Sequence, residues 1–130
     1  MKVVVLLGRI LFSLIFLLSG IHHFSDKTIG YAASQGVPFP SLLVPASGIL
    51  AMAGALSIIL GFKARFGAWL IVLFLVPVTF MMHNFWTVTD IAMKQMQMAM
   101  FMKNISMLGG ALMIAWFGSG PLSLDTLKTK

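Results

Sequence analysis

Ser41–Phe62, SLLVPASGILAMAGALSIILGF, runs for 22 residues without a charged side chain. A helix rising about 1.5 Å per residue needs about 20 mostly apolar residues to cross a hydrocarbon core roughly 30 Å thick. The stretch is long enough to span a bilayer. Outward from it lie three more of the same kind, approximately Val3–Phe24, Phe66–Trp86 and Met96–Phe117. The chain therefore reads as an all-α integral membrane four-helix bundle. It forms a single transmembrane domain over residues 1–130, with spans at about 3–24, 41–62, 66–86 and 96–117. No piece between spans exceeds 16 residues, which excludes a soluble domain. Lys2 and Arg9 before an apolar run resemble the start of a signal peptide. No small-residue cleavage site follows, and His22, His23 and Phe24 stand where one is needed, so span one is read as retained.

Nine basic and three acidic residues give a net charge of +6, and there is no cysteine. The missing thiols exclude disulfides, thiolate metal sites and Fe–S ligation by this chain, so any redox chemistry uses a borrowed cofactor. The basic residues are scattered singly at span ends rather than clustered, which argues against nucleic acid as a partner. They act as topology signals instead. Lys2, Arg9, Lys63, Arg65, Lys128 and Lys130 fall on one side of a four-span hairpin, and only Lys27 and Lys94 on the other. The positive-inside bias then places the amino and carboxyl termini in the cytoplasm.

The longest outer loop, Ser25–Pro40, has helix punctuation: Ser25 or Asp26 to cap, Gly36 to terminate, Pro38 and Pro40 to hold the chain extended. A short interfacial helix is expected there, with Tyr31 and Phe39 at headgroup depth. Between spans, Ser47, Ala51 and Ala55, and Ala111 with Ala115 beside Gly109 and Gly110, supply the small residues through which helices approach in lipid. Pro77 removes a backbone hydrogen bond from span three and should bend it.

Polar side chains left within the spans are the informative ones, because a charge at membrane depth costs several kcal/mol unless it is paired, hydrated or able to snorkel. They gather toward the outer ends: His22 and His23 on span one, His83, Asn84 and Trp86 on span three, Lys103 and Asn104 on span four. His83, Trp86 and Asp90 share a face if the helix continues that far. Lys103 shares a side with Met107, Gly110 and Ala111, the face expected to pack inward. It lies about 14 residues from the inner end of its span, roughly 20 Å from the cytoplasmic boundary. Only a helix beginning near Asp90 would let it snorkel outward. His22, His83, Asn84, Trp86, Lys103 and Asn104 are thus the candidate ligand-binding residues, and interfacial anchoring is the plainer reading of His22, His23 and Trp86. At the inner side Arg9 has one available carboxylate, Asp125, and a structural ion pair between them would tie the tail to span one.

Met96 with Met100, and Met98 with Met102, have a spacing at which thioethers hold Cu(I), but the two pairs face different ways and no thiolate joins them. His22 and His23, being adjacent, point apart on a helix. No metal site is read, and no nucleophile, nucleotide loop or paired-carboxylate constellation either. There is no self-contained catalytic constellation.

Six pieces in order carry a family resemblance. They are Gly8-Arg9-Ile10 to Ser19-Gly20, Val37-Pro38, Leu60-Gly61-Phe62 to Arg65, His83-Asn84-Phe85-Trp86, Phe101-Met102-Lys103-Asn104 and Gly120-Pro121-Leu122-Ser123-Leu124-Asp125. Together they resemble the DoxX family of small bacterial membrane proteins over nearly the whole chain. The resemblance implies a multi-pass protein of the bacterial inner (plasma) membrane, with some relatives serving as subunits of membrane oxidoreductases. One branch resembles the DoxD subunit of thiosulfate:quinone oxidoreductase, and another is linked to a superoxide dismutase and a sulfurtransferase. Arg9, His83, Asn84, Trp86, Lys103, Asn104 and Asp125 match the family's pattern, whereas the usual charged residue after span one is replaced by His22-His23.

The preferred expectation is a subunit of a membrane oxidoreductase complex. Its outer-side pocket, between spans one, three and four, would receive a quinone or another small apolar carrier. Lys103, His83 and Asn84 would bond its oxygens, Trp86 would stack on its ring, and His83 or His22 would move protons. Its partners are the lipid bilayer, a redox-enzyme subunit and further copies of itself. Alternatives are a small-solute transporter or efflux component, and a structural anchor for a peripheral enzyme.

Overall fold

The computed structural model describes residues 1–129. Four helices have the length and apolarity to cross a membrane: α1 (Lys2–His22), α3 (Pro40–Leu60), α4 (Ala64–Met82) and α5 (Ile91–Phe117). Two short helices join them, α2 (Asp26–Ser34) in the first long loop and α6 (Leu124–Lys128) in the tail. A 3-10 turn, Phe85–Thr87, follows α4. No strand occurs among the described residues.

The helix ends follow local chemistry. The hydroxyl of Ser25 accepts from the Thr28 amide (3.2 Å) and starts α2, and Gly36, at φ +84°, turns the chain after it. Pro40 opens α3, where its missing N–H is no loss. Gly61 closes α3 in the left-handed region (φ 65°), so the link to α4 is only three residues, Gly61 to Lys63. α4 remains helical through Pro77.

Two boundaries differ from those expected from the sequence. α4 stops at Met82 instead of running to Trp86, so His83, Trp86 and Asp90 do not share a helix face. His83 and Asn84 leave the helical region, and the backbone turns through Phe85–Thr87 instead. α5 begins at Ile91 instead of Met96, because the Asp90 carboxylate caps it by accepting from the Met93 amide (3.0 Å). At 27 residues α5 is about 40 Å long, more than a hydrocarbon core requires.

α1 packs on α3, α3 on α4 and α4 on α5, and α2 lies against α3. Phe16, Ala51, Ala55, Ile58, Ala68, Ile71, Phe74, Leu75 and Ala111 form the core, with Phe16 edge-on to Phe74 (centroids 6.2 Å apart). Lipid tails are as apolar as this core, so burial alone drives little association and close backbone approach matters more. Two close backbone approaches are between glycines. A Cβ on Gly48 of α3 would lie 2.7 Å from the Gly20 carbonyl oxygen of α1, and one on Gly54 2.8 Å from the Gly67 carbonyl oxygen of α4. α5 meets α1 where the Phe12 ring lies against Gly110. Leu7, Leu11, Leu42, Ile49, Leu73, Trp116 and Phe117 point outward and exposed, the arrangement lipid-facing helices require.

Candidate functional site

The inward stripe of α1 is Arg9, Ser13, Phe16 and Gly20, all buried, and its spacing of four, three and four reaches His23 next. Beside His23 the helices border a half-open chamber of about 260 Å³. α1 contributes Ser19 and the His23 that ends it, α4 Phe74, Val78, Met82 and the adjoining His83, and α5 Lys103, Asn104 and Met107. This is the space between spans one, three and four in which the sequence places its polar cluster. His83, Lys103 and Asn104 are lining residues. His22, Asn84 and Trp86 are not.

The polar groups of this chamber differ in how they are engaged. Asn104 is only 4% exposed as a residue but lines the chamber, and it is not among the fully buried, unpartnered side-chain polar atoms of the described residues, which are Arg9 Nε and Ser13 Oγ. Lys103 is exposed and donates from Nζ to the sulfur of Met100 (3.4 Å), which does not line the chamber. With α5 starting at Ile91 the ammonium can snorkel outward instead of facing wholly inward as expected, and the weak acceptor leaves most of its donor capacity free. His83 donates from Nδ1 to Gln97 Oε1 (2.8 Å), and His23 from Nδ1 to the Ser19 carbonyl (2.6 Å). In a neutral ring that bond fixes the tautomer and leaves Nε2 as an acceptor. The chamber therefore combines two donors with two acceptors. Gln97 also donates from Nε2 to the Tyr31 hydroxyl (3.4 Å), linking α5 to α2.

A second, larger space of about 590 Å³ lies between the ends of α3 and α4 nearest α2, which roofs it. Its walls are apolar except for His23, Thr28 and Ser47, and the Ser47 hydroxyl already donates to the Val44 carbonyl (2.6 Å). His23, Thr28, Phe74, Val78 and Met82 line both spaces, so the two meet there. The His23 ring stands edge-on to Phe74, centroids 5.6 Å apart.

The other candidates sit elsewhere. His22 is exposed and donates from Nδ1 to the Leu18 carbonyl (2.7 Å), about 100° around the helix from His23. Trp86 is exposed, edge-on to Phe85 and Phe101 and tilted against Phe80, with centroids 5.3–6.4 Å away. Asn84 precedes the 3-10 turn, where its carbonyl accepts from the Thr87 hydroxyl (2.9 Å). Met93, Met96, Met98, Met100 and Met102 are all exposed, and Met100 already faces an ammonium, which repels a second cation. His23 and Thr28 are lining residues absent from the candidates drawn from the sequence. The regular stripe on α1 distinguishes His23 from His22; nothing local marks Thr28.

Arg9 and Asp125 both hold the tail, but not by bonding to one another. Arg9, 4% exposed, donates from Nη1 to the Ser119 carbonyl (3.1 Å) and from Nη2 to that of Leu122 (2.5 Å). The Asp125 carboxylate instead accepts from the amides of Lys63 (2.7 Å) and Ala64 (3.1 Å), capping α4 from outside its own chain segment. The two tail carbonyls take up the guanidinium donors, and the free N–H groups at the start of α4 take up the carboxylate. Burial pushes the Asp125 carboxyl up, but the Lys63 and Ala64 amides, the Ser119 hydroxyl and nearby Lys128 outweigh it, so the group sits below the ordinary aspartate value. A carboxyl lowered by folding stabilises the protein above its unfolded value, and that stabilisation is lost as pH falls through the folded one. The tail contact should be complete at neutral pH and fade only on the acid side of the usual aspartate range. Asp125→Ala should remove that acid-side loss and cost about 1 kcal/mol at neutral pH. Thermal unfolding of both proteins across acidic pH checks this, and parallel melting curves would refute it.

A family model, DoxX, matches residues 4–84. Among characterised sequences, the chain is 34% identical over 125 residues to inner membrane protein YphA of Escherichia coli K12, covering 95% of this chain and 89% of that protein. It is 31% identical over 130 residues to inner membrane protein YqjF of the same organism, covering 97% and 92%. No solved structure matches the chain.

Proposed function

The chain belongs to the DoxX family of multi-pass inner-membrane proteins, and from that premise we propose that it binds a quinone, as a subunit of a membrane oxidoreductase complex. The observation carrying this reading is Asn104. Its amide lines the chamber and carries donors from which a ligand oxygen there would accept. Lys103 supplies a second donor, and the Nε2 atoms of His83 and His23 supply acceptors. Two donors suit carbonyl oxygens, and two acceptors suit the hydroxyl groups that replace them on reduction.

A bound quinone would supply two-electron, two-proton chemistry. The chain's share is to hold the two oxygens, keep the ring away from bulk water, and accept or return a proton at an imidazole Nε2. Gln97 and Tyr31 extend the hydrogen-bonded chain from His83 toward α2. Trp86 has no part in ring stacking here, being engaged with Phe80, Phe85 and Phe101. Phe74 and Met82 take that place.

Extraction and mass spectrometry of protein purified in nanodiscs should find a quinone, and added quinone should raise the melting temperature. Asn104→Leu and Lys103→Met should each weaken binding about tenfold, the value of one charge-assisted or buried hydrogen bond. A protein with no extractable quinone and no melting shift would refute the reading.

A further inference from the structure

We infer that the larger chamber houses one long apolar chain, carried by the same molecule whose head group occupies the smaller chamber, and that this chain enters sideways between α3 and α4. The inference rests on the smaller chamber being a head-group site, and adds to it a tail subsite and a class of ligand.

Size separates the two spaces. Ligand sites usually run from about 300 to 1,000 Å³. The smaller chamber, at about 260 Å³, falls under that range and holds a head group alone, whereas the larger, at about 590 Å³, lies within it. Polarity separates them as well. The smaller is lined by His83, Lys103 and Asn104; the larger has no polar group with unspent capacity on its α3 and α4 walls, since Ser47 is bonded to Val44. A hydrocarbon chain is the occupant such walls accept without penalty.

His23, Thr28, Phe74, Val78 and Met82 line both spaces, so one molecule passing between these side chains would lie in both. The mouth of the larger is marked by exposed lining residues on facing helices, Leu43 and Ala46 of α3 and Leu73 and Pro77 of α4. Those positions look outward from the helices at the depth of the membrane, so the opening faces hydrocarbon. The buried Ala32 of α2 closes the space from above. A chain entering by this route never crosses water.

The test compares a short-chain and a long-chain ubiquinone with one head group, titrated into nanodiscs at equal mole fraction. Wild type should bind the long-chain form about five- to tenfold tighter, a gain from packing contacts because the chain leaves lipid and not water. Ala46→Phe, at an exposed position the fold tolerates, and Leu50→Phe deeper in the groove should each abolish that preference and leave short-chain affinity unchanged. Lys103→Met should weaken both ligands equally. Equal affinity of wild type for the two chains, or a preference surviving both phenylalanine variants, overturns the tail subsite and leaves the quinone reading standing. If neither quinone binds, the quinone reading fails, and the lipid extract decides the subsite. A chain-bearing lipid retained by wild type and lost from Ala46→Phe upholds it with another head group; an extract unchanged by the substitution overturns it.

Discussion

Arg9→Ala is expected to lower the unfolding free energy of the detergent-solubilised protein by about 3 kcal/mol, one of the two largest effects expected of any single substitution in this chain. The guanidinium is buried and forks onto two carbonyls 110 and 113 residues further along the chain. Hydrogen bonds to a charged group contribute about 1.5–3 kcal/mol each, and truncation also leaves both carbonyls unpaired. Packing reinforces the contact: Gly61 has no side chain, and a Cβ there would come within 2.5 Å of Arg9 Nη1. Arg9→Lys keeps the charge but not the fork, so it should recover less than half of the loss. Chemical or thermal unfolding of the three proteins measures this. A cost for Arg9→Ala below about 1 kcal/mol, the level of an exposed contact, would show that the guanidinium does not hold the tail.

Gly48→Val is expected to be worse, with a cost beyond about 3 kcal/mol and loss of most folded protein from the membrane. The first added carbon alone would stand 2.7 Å from the Gly20 carbonyl oxygen and 2.7 Å from His23 Cβ, so α1 and α3 must separate. Separation also moves His23, and with it the lining shared by the two chambers. Gly109→Ala is the matched control. Nothing lies within 4 Å of a Cβ at Gly109, and alanine favours a helix over glycine by up to about 1 kcal/mol, so that variant should be neutral or stabilising. Equal expression and melting temperature for Gly48→Val and Gly109→Ala would refute the close-packed crossing.

Much of the architecture is legible in residues taken one segment at a time. The uncharged run Ser41–Phe62 specifies a membrane helix because hydropathy and length are local properties. Ser25 and Gly36 announce α2 for the same reason, since capping involves residues three or four apart. Where local signals compete, boundaries slip. Trp86 looks like a continuation of span three, but the backbone turns at His83 and Asn84, and Asp90 starts the next helix early. Ala51 and Ala55 are buried as their spacing suggests, yet close backbone crossings are also made at Gly20, Gly48, Gly54 and Gly67. Glycine is common in membrane helices, so its presence does not say which copies meet.

By itself, then, the sequence determines the helical membrane architecture, the family and the clustering of histidine, asparagine and lysine toward one end of the bundle. Only the tertiary structure decides which of these residues share a chamber: His23 instead of its neighbour His22, Asn104 beside Lys103, and Trp86 turned to an aromatic cluster outside. It likewise separates Arg9 from Asp125, giving the first to the tail carbonyls and the second to the start of α4. The physical reason is range. Crossing a bilayer depends on about 20 consecutive residues, whereas a cavity wall depends on how helices far apart in the chain rotate against one another, and a rotation of one residue is about 100°.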